Sequence, residues 1–202
     1  MNPSANDAVR QPRRFVRMLA PAKVNLHLEV LQRREDGYHD IETILQAVGL
    51  FDELTVELRD AGGKGVPRIE LSVTPAGAAP DDGSNLVWKA AVLFCRSTGH
   101  TGHLHIDLTK TIPAEAGLGG GSSDAAATLI ACNRLFDAGL TDDQLEEMGA
   151  KLGSDVPFFI RGGTQLGRGT GTDLTPLSPL RSGRFLIVKP TLSLRTASVH
   201  EH

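Results

Sequence analysis

The chain has 202 residues, 40% of them hydrophobic, which is enough for one sizeable core with little left over for a second large domain. Lysine and arginine total 21 against 24 acidic residues, a net charge of -3, so no global positive field draws the protein to nucleic acid or anionic lipid. No apolar run is long enough for a membrane span and residues 1–14 lack the apolar centre of a signal peptide, so the expectation is a cytoplasmic protein with a disordered polar tail at its start.

Residues 22–30, "AKVNLHLEV", alternate as a half-buried strand, with Val24, Leu26, Leu28 and Val30 on one face and Lys23, Asn25, His27 and Glu29 on the other. The polar face taken alone reads most simply as wet. "REDGYHD" breaks the pattern with an Asp-Gly turn, and strand-like runs follow at Ile41–Val48, Glu53–Leu58 and Arg68–Val73. Glycine- and proline-rich links between them favour an antiparallel sheet. A helix is expected over Asn85–Thr98, and "HLHIDLT" from His103 alternates again as a strand. Cys95 and Cys132 fall in apolar helical patterns, which suits small buried hydrophobes better than metal ligands or a disulfide.

After Lys110 comes "TIPAEAGLGGGSSDAAA", a glycine loop leading into a helix over Ser122–Phe136. Glycine costs roughly 0.5–1 kcal/mol relative to alanine in an ordered element, so the loop must do something a stiffer one could not. A Walker loop is excluded because no lysine precedes the serines, and the dinucleotide fingerprint fails because the sixth position from Gly117 is Ser122. A nucleophile elbow fails because neither serine is flanked by glycines two residues away on both sides. Successive backbone N–H groups at a helix start can still cradle an anion, with Ser122 and Ser123 adding hydroxyls for phosphate or magnesium. A side chain at Gly120 should then obstruct the phosphate. The competing reading is a glycine turn that merely permits tight packing. Thr141 and Gln144 form a capping-box pattern for a helix to Leu152, ended by Gly153, and "SDVPFFIRGG" reads as a loop. Strands near Thr164–Leu166 and Phe185–Val188 complete an α+β pattern.

"PAKVNLHL", "DGYH", "SNLVWKAA", "KTIPAEAGLGGGSSDAAA" and "LGSDVPFF" occur in this order along residues 18–198. Together they resemble the GHMP superfamily of small-molecule kinases. Within it they resemble the branch that phosphorylates the 2-hydroxyl of a cytidine-diphosphate-linked methylerythritol in non-mevalonate isoprenoid synthesis. The resemblance implies the GHMP-kinase N-terminal domain, a ribosomal protein S5 domain 2-like α+β fold, over residues 15–184. Residues 185–202 would begin a second domain that is largely missing, so a truncated product is expected. It implies ATP and Mg2+, a small-molecule acceptor, no separate metal site in the protein, no nucleic-acid or membrane partner, and a monomer or weak homodimer.

Residue by residue, Asp155 matches the catalytic aspartate that takes the acceptor's proton, and Lys23 the lysine beside it. An ammonium there favours an ionised carboxylate and offsets charge on the transferred phosphoryl group. Without the resemblance, an aspartate in "GSDVP" reads as a cap. Asn25, Tyr38 and His39 match the acceptor site, with Tyr38 stacking on the cytosine and His39 bonding its edge. Asn85, Leu86, Lys110, Pro113, Gly117, Leu118, Gly119, Gly120, Gly121, Ser122 and Ser123 match the ATP site. The aromatic that often completes the cytosine sandwich is absent, with Val199 or His200 in its neighbourhood. Two other readings stay open: a GHMP kinase for mevalonate, homoserine or a galactose-like sugar, and an inert ATP-binding fragment.

Overall fold

The computed structural model describes residues 14–34, 37, 39–60, 66–180 and 183–190. Strand β1 (Arg14–Arg33) and strand β2 (His39–Asp60) form a long antiparallel ribbon, where two separate strands were expected after the Asp-Gly turn. The interruption read at residues 49–52 is a bulge rather than a break. Pro21 pairs with Phe51 and Ala22 with Val48, so the register slips where proline has no N–H to give the ladder.

The second half of β2 pairs with β4 (His103–Thr109), and its first half with β5 (Thr164–Arg168), both antiparallel; β6 (Asp173–Pro176) extends the sheet beyond β5. Strand β3 (Arg68–Thr74) pairs with β4 in parallel, which corrects the all-antiparallel expectation. The reason is the connection: helix α1 (Leu86–Thr98) lies between the two strands, and a crossover of that kind returns the chain in the same direction.

Helix α2 (Gly120–Phe136) begins two residues earlier than its sequence suggested and packs on β1, β2 and α1. Its buried Ala125, Ala126, Ala127 and Ala131 let it approach closely. Phe94, Leu129 and Phe158 meet Leu54, Val56, Leu104, Ile106 and Leu108 in the principal core, each large side chain contributing roughly 1.5–3 kcal/mol by leaving water. Cys95 and Cys132 are free thiols within this core.

Helix α3 (Asp142–Ala150) opens on the expected capping box: the Gln144 N–H donates to Thr141 Oγ1 at 3.3 Å, and the Thr141 N–H to Gln144 Oε1 at 2.9 Å. The supposed loop after it is a helix, α4 (Val156–Arg161), started by a proline in its first turn. No strand forms at Phe185–Val188, where the backbone is irregular. The apolar face of residues 24–30 is not buried as alternation implied. Leu26, Leu28 and Val30 are exposed, because the far end of the ribbon projects past the layer of helices, whereas Lys23 on the nominally wet face is 8% exposed.

Candidate active site

The glycine loop curls because Gly117 and Gly119 both adopt φ 70, a left-handed conformation that a side chain resists. Gly119 is the N-cap of the 17-residue α2 and supplies no side-chain cap; the first helical bond runs from the Ser123 N–H to the Gly119 carbonyl at 2.9 Å. The N–H groups of Gly120, Gly121 and Ser122 therefore have no acceptor within the helix. They sit at the edge of a cavity of about 470 Å³ lined by residues 78–80, 84–86, 110, 112–122 and 124. Uncapped N–H groups at the positive end of a long helix form a ready anion cradle.

The glycines differ in what they permit. A Cβ at Gly119 would lie 2.8 and 2.9 Å from the Phe159 ring and 3.1 Å from Lys23 Cγ, so α4, β1 and the loop converge on this residue. A Cβ at Gly120 would meet Ile112 Cγ2 at 3.1 Å and Lys110 Nζ at 3.2 Å. Gly120 thus faces the floor of the loop, and the expectation that a side chain there would obstruct a phosphate is corrected: it would disturb packing first. Ser122 lines the cavity, while Ser123 is 1% exposed, its hydroxyl buried beneath the loop and without a partner.

Three charged groups lie under the loop. Lys110 Nζ donates to Asp52 Oδ2 at 2.5 Å and to Asp124 Oδ2 at 2.6 Å, and both carboxylates are buried. Asp52 Oδ1 accepts the N–H groups of Thr111 at 2.5 Å and Ile112 at 2.8 Å. Burial pushes the Asp124 carboxyl up to about 7 against the pull of the Lys110 ammonium, with Asp52 adding to the rise. Burial alone would lower the Lys110 ammonium, but Asp124 and Asp52 outweigh it and hold the group above its ordinary range. Lys110 is at the cavity as expected, and its ammonium is engaged by two carboxylates.

Beside the loop the Lys23 N–H donates to the Leu118 carbonyl at 2.9 Å, which docks the loop onto β1. Lys23 Nζ donates to Asn25 Oδ1 at 2.8 Å and stands 3.9 Å from Asp155 Oδ2. Asn25 Nδ2 donates to Thr43 Oγ1 at 2.7 Å, and that hydroxyl donates to the His27 carbonyl at 2.7 Å, so β2 fixes the amide that orients the lysine. Asp155 occupies the N-cap position of α4 yet makes no side-chain cap bond, and its side chain is 41% exposed. A capping aspartate would have spent its carboxylate on the helix; this one faces Lys23. Gln165, 2% exposed, anchors α4 from behind by donating to the Phe158 carbonyl at 3.0 Å and the Gly162 carbonyl at 2.9 Å.

Asn85 and Leu86 line the wall of the cavity. Asn85 is committed to structure: Oδ1 caps the Val87 N–H at 2.9 Å, and Nδ2 donates to the Pro80 carbonyl at 2.6 Å, shaping the wall through the backbone. Pro113 and Leu118 line the same cavity, Leu118 with its side chain against Ala22 and Ile112. His39 pairs with Arg33 at the far end of the ribbon, while Lys23 pairs with Ala47, so at about 3.3 Å per residue they are no more than roughly 26 Å apart. Tyr38, Val199 and His200 lie outside the described residues. Sequence reasoning missed Asp52 and Asp124. Among the described residues, no group of three or more His, Cys, Asp or Glu side chains could hold a metal.

Residues 85–163, which carry α1, the loop, Asp155 and α4, match the family model described as the GHMP kinases N terminal domain. Over that stretch the chain carries a GHMP kinase N-terminal domain. It is 44% identical over 186 residues to 4-diphosphocytidyl-2-C-methyl-D-erythritol kinase of Heliobacterium modesticaldum, covering 92% of this chain and 58% of that one. It is 47% identical over 181 residues to the enzyme of the same name from Moorella thermoacetica, covering 90% and 61%. The chain thus spans about three-fifths of the length of these curated relatives. A crystal structure of 4-(cytidine 5'-diphospho)-2C-methyl-D-erythritol kinase superposes with a TM-score of 0.68 at 42% identity, covering 81% of this chain and 55% of that one. A homoserine kinase from Cytophaga hutchinsonii shares the fold at TM-score 0.63 and 20% identity, covering 93% of this chain and 59% of that one. Among the described residues no helix is long and apolar enough to cross a membrane.

Proposed function

We propose that this site transfers the γ-phosphoryl group of ATP to the 2-hydroxyl of 4-diphosphocytidyl-2-C-methyl-D-erythritol. The observation that carries the reading is the Lys23–Asp155 pair at 3.9 Å, beside a glycine loop whose helix start is uncapped. The 42–47% identity to kinases named for that acceptor favours it over homoserine, at 20% in the structural comparison.

In this reading the ATP phosphates lie on the N–H groups of residues 120–122, and the adenine lies toward the wall formed by Asn85 and Leu86. The Ser122 hydroxyl, which lines the cavity, would help to hold a magnesium ion bound with ATP, and that ion would supply charge neutralisation. A half-buried hydroxyl at a helix start is a hard oxygen donor of the kind such an ion takes. Asp155 accepts the acceptor's hydroxyl proton as that oxygen forms a bond to the γ-phosphorus and the bond to the β,γ-bridging oxygen breaks, releasing ADP. The Lys23 ammonium, oriented by Asn25, offsets charge on the equatorial oxygens. His39, at the far end of the ribbon, and its sequence neighbour Tyr38 serve the cytosine, which suits an acceptor long enough to span strand and cleft. Residues 15–184 form the ATP-binding domain in this reading, acting on a small molecule as a monomer or weak homodimer.

Titration calorimetry with Mg-ATP, followed by cytidine-diphosphate-linked methylerythritol, homoserine and mevalonate in turn, tests the assignment. Binding of the cytidine compound alone among the acceptors is expected. Preference for homoserine or mevalonate would replace it with another small-molecule kinase.

A further inference from the structure

The loop is held from a place its own sequence does not show. Asp52, fully buried on β2 just after the bulge, directs one carboxylate oxygen at two consecutive backbone N–H groups, Thr111 and Ile112, and the other at the Lys110 ammonium. Those three residues are the segment by which the chain leaves β4 and enters the loop. Lys110 carries the restraint across to Asp124 in the first turns of α2, so both ends of the loop are tied to one point on the sheet. The middle is tied once more, by the Lys23 N–H to the Leu118 carbonyl. Between these ties the backbone is costly to hold: Glu115, Gly117 and Gly119 all have positive φ, so a loop released from its anchors would relax elsewhere.

We infer that Asp52 is a positioning residue for the phosphate loop, acting through the Lys110 side chain and the Thr111 and Ile112 backbone rather than by touching the nucleotide. The chemistry of the site requires a carboxylate. Three donors converge on two oxygens, and an amide offers one oxygen and a nitrogen that is itself a donor. Asn at this position can serve the two N–H groups or the ammonium, but not both. Lys110, with a side chain 9% exposed and both carboxylates in hydrogen-bond range, is the strut that passes this restraint to α2.

Asp52→Asn in the full chain tests the inference by amide hydrogen exchange without ligand. The amides of Ile112, bonded to Asp52, and Lys23, bonded to the loop, are expected to exchange at least about tenfold faster, while those of Ile106 in β4 and Leu129 in α2 stay within about threefold of the wild type. Unchanged exchange at Ile112 and Lys23 would overturn the inference. So would a uniform rise across all four amides, which is the signature of a carboxylate that only stabilises the fold. Should Asp52→Asn not fold, Asp52→Glu keeps the charge but pushes the carboxylate out by one methylene, and the same selective loosening is expected. The affinity readout rests on the proposed kinase function: Mg-ATP should bind at least about tenfold more weakly to the variant. A wild-type chain that binds no ATP would refute the functional reading, and the exchange result would still decide the role of Asp52.

Discussion

Gly119→Ala is the sharpest perturbation the site offers, because two separate costs meet at one atom. The backbone there has φ 70, and a left-handed conformation costs an L-residue with a Cβ about 1–2 kcal/mol. The added methyl would lie 2.8 and 2.9 Å from the Phe159 ring and 3.1 Å from Lys23 Cγ, an overpacking of the kind that costs about 1–3 kcal/mol. Phe159 has little room to retreat, since it is 6% exposed and packs edge-on to Phe158 at a centroid distance of 5.0 Å. The sum, about 2–5 kcal/mol, corresponds to a melting temperature lower by roughly 5–15 °C for a chain of this size. Thermal unfolding followed by circular dichroism measures it. Gly117→Ala is the internal comparison: it shares φ 70 but has open space for a Cβ, so only the backbone cost of about 1–2 kcal/mol applies. Equal melting temperatures for the two variants, or a Gly119→Ala protein that melts with the wild type, would refute the convergence of loop, strand and helix at this residue.

Gly120→Val should lower the unliganded melting temperature by several degrees through its contacts with Ile112 and Lys110, with the rise caused by Mg-ATP preserved in what remains folded; loss of the rise at an unchanged melting point would return Gly120 to the phosphate. Asp155→Asn should leave thermal stability near the wild type, because the carboxylate caps nothing, and slow phosphoryl transfer by about 10² to 10⁴-fold. A marked loss of stability would show instead that Asp155 serves the helix. For Asp124 the folded-state value is raised from 3.8 to about 7, so the folded protein binds the extra proton. Its stabilising contribution is complete below about pH 4 and is lost as pH rises through about 7, roughly 4 kcal/mol in all for a group shifted this far. Asp124→Asn lacks that slope, and urea unfolding at several pH values should show the variant gaining on the wild type toward neutrality; parallel profiles would contradict the burial argument.

Local patterns were legible in the sequence and long-range partnerships were not. The strand from His103 to Thr109, the Thr141 capping box and the helix after Asn85 each follow from residues within one turn or one pleat of each other, and the structure repeats them. Helix α4 was hidden because its six residues are rich in β-branched and aromatic side chains and begin at Val-Pro, a pair that reads as extended when the start signal of proline is not recognised. The bulge at residues 49–50 looked like a turn because no local signal distinguishes a break in one strand from a slip against its partner. Asp52 was invisible for the same reason in stronger form: its partners lie 58 to 60 residues away, and a lone aspartate near a strand end carries no mark of what it will meet. Lys23 was readable only through family resemblance, since alternation put it on a face that looked wet and the structure buries it.

In the proposed reaction Lys23 and Asp155, set beside the loop, assist transfer of a phosphoryl group to a cytidine-diphosphate-linked alcohol. The most direct test mixes the chain with ATP labelled in the γ-phosphate, magnesium and cytidine-diphosphate-linked methylerythritol, and follows the label by chromatography, with Asp155→Asn run beside it. Label is expected in the phosphorylated cytidine compound for the wild type, with a signal lower by about two orders of magnitude or more for the variant. Label that stays in ATP, or that reaches the acceptor equally well without the Asp155 carboxylate, would contradict the proposed reaction.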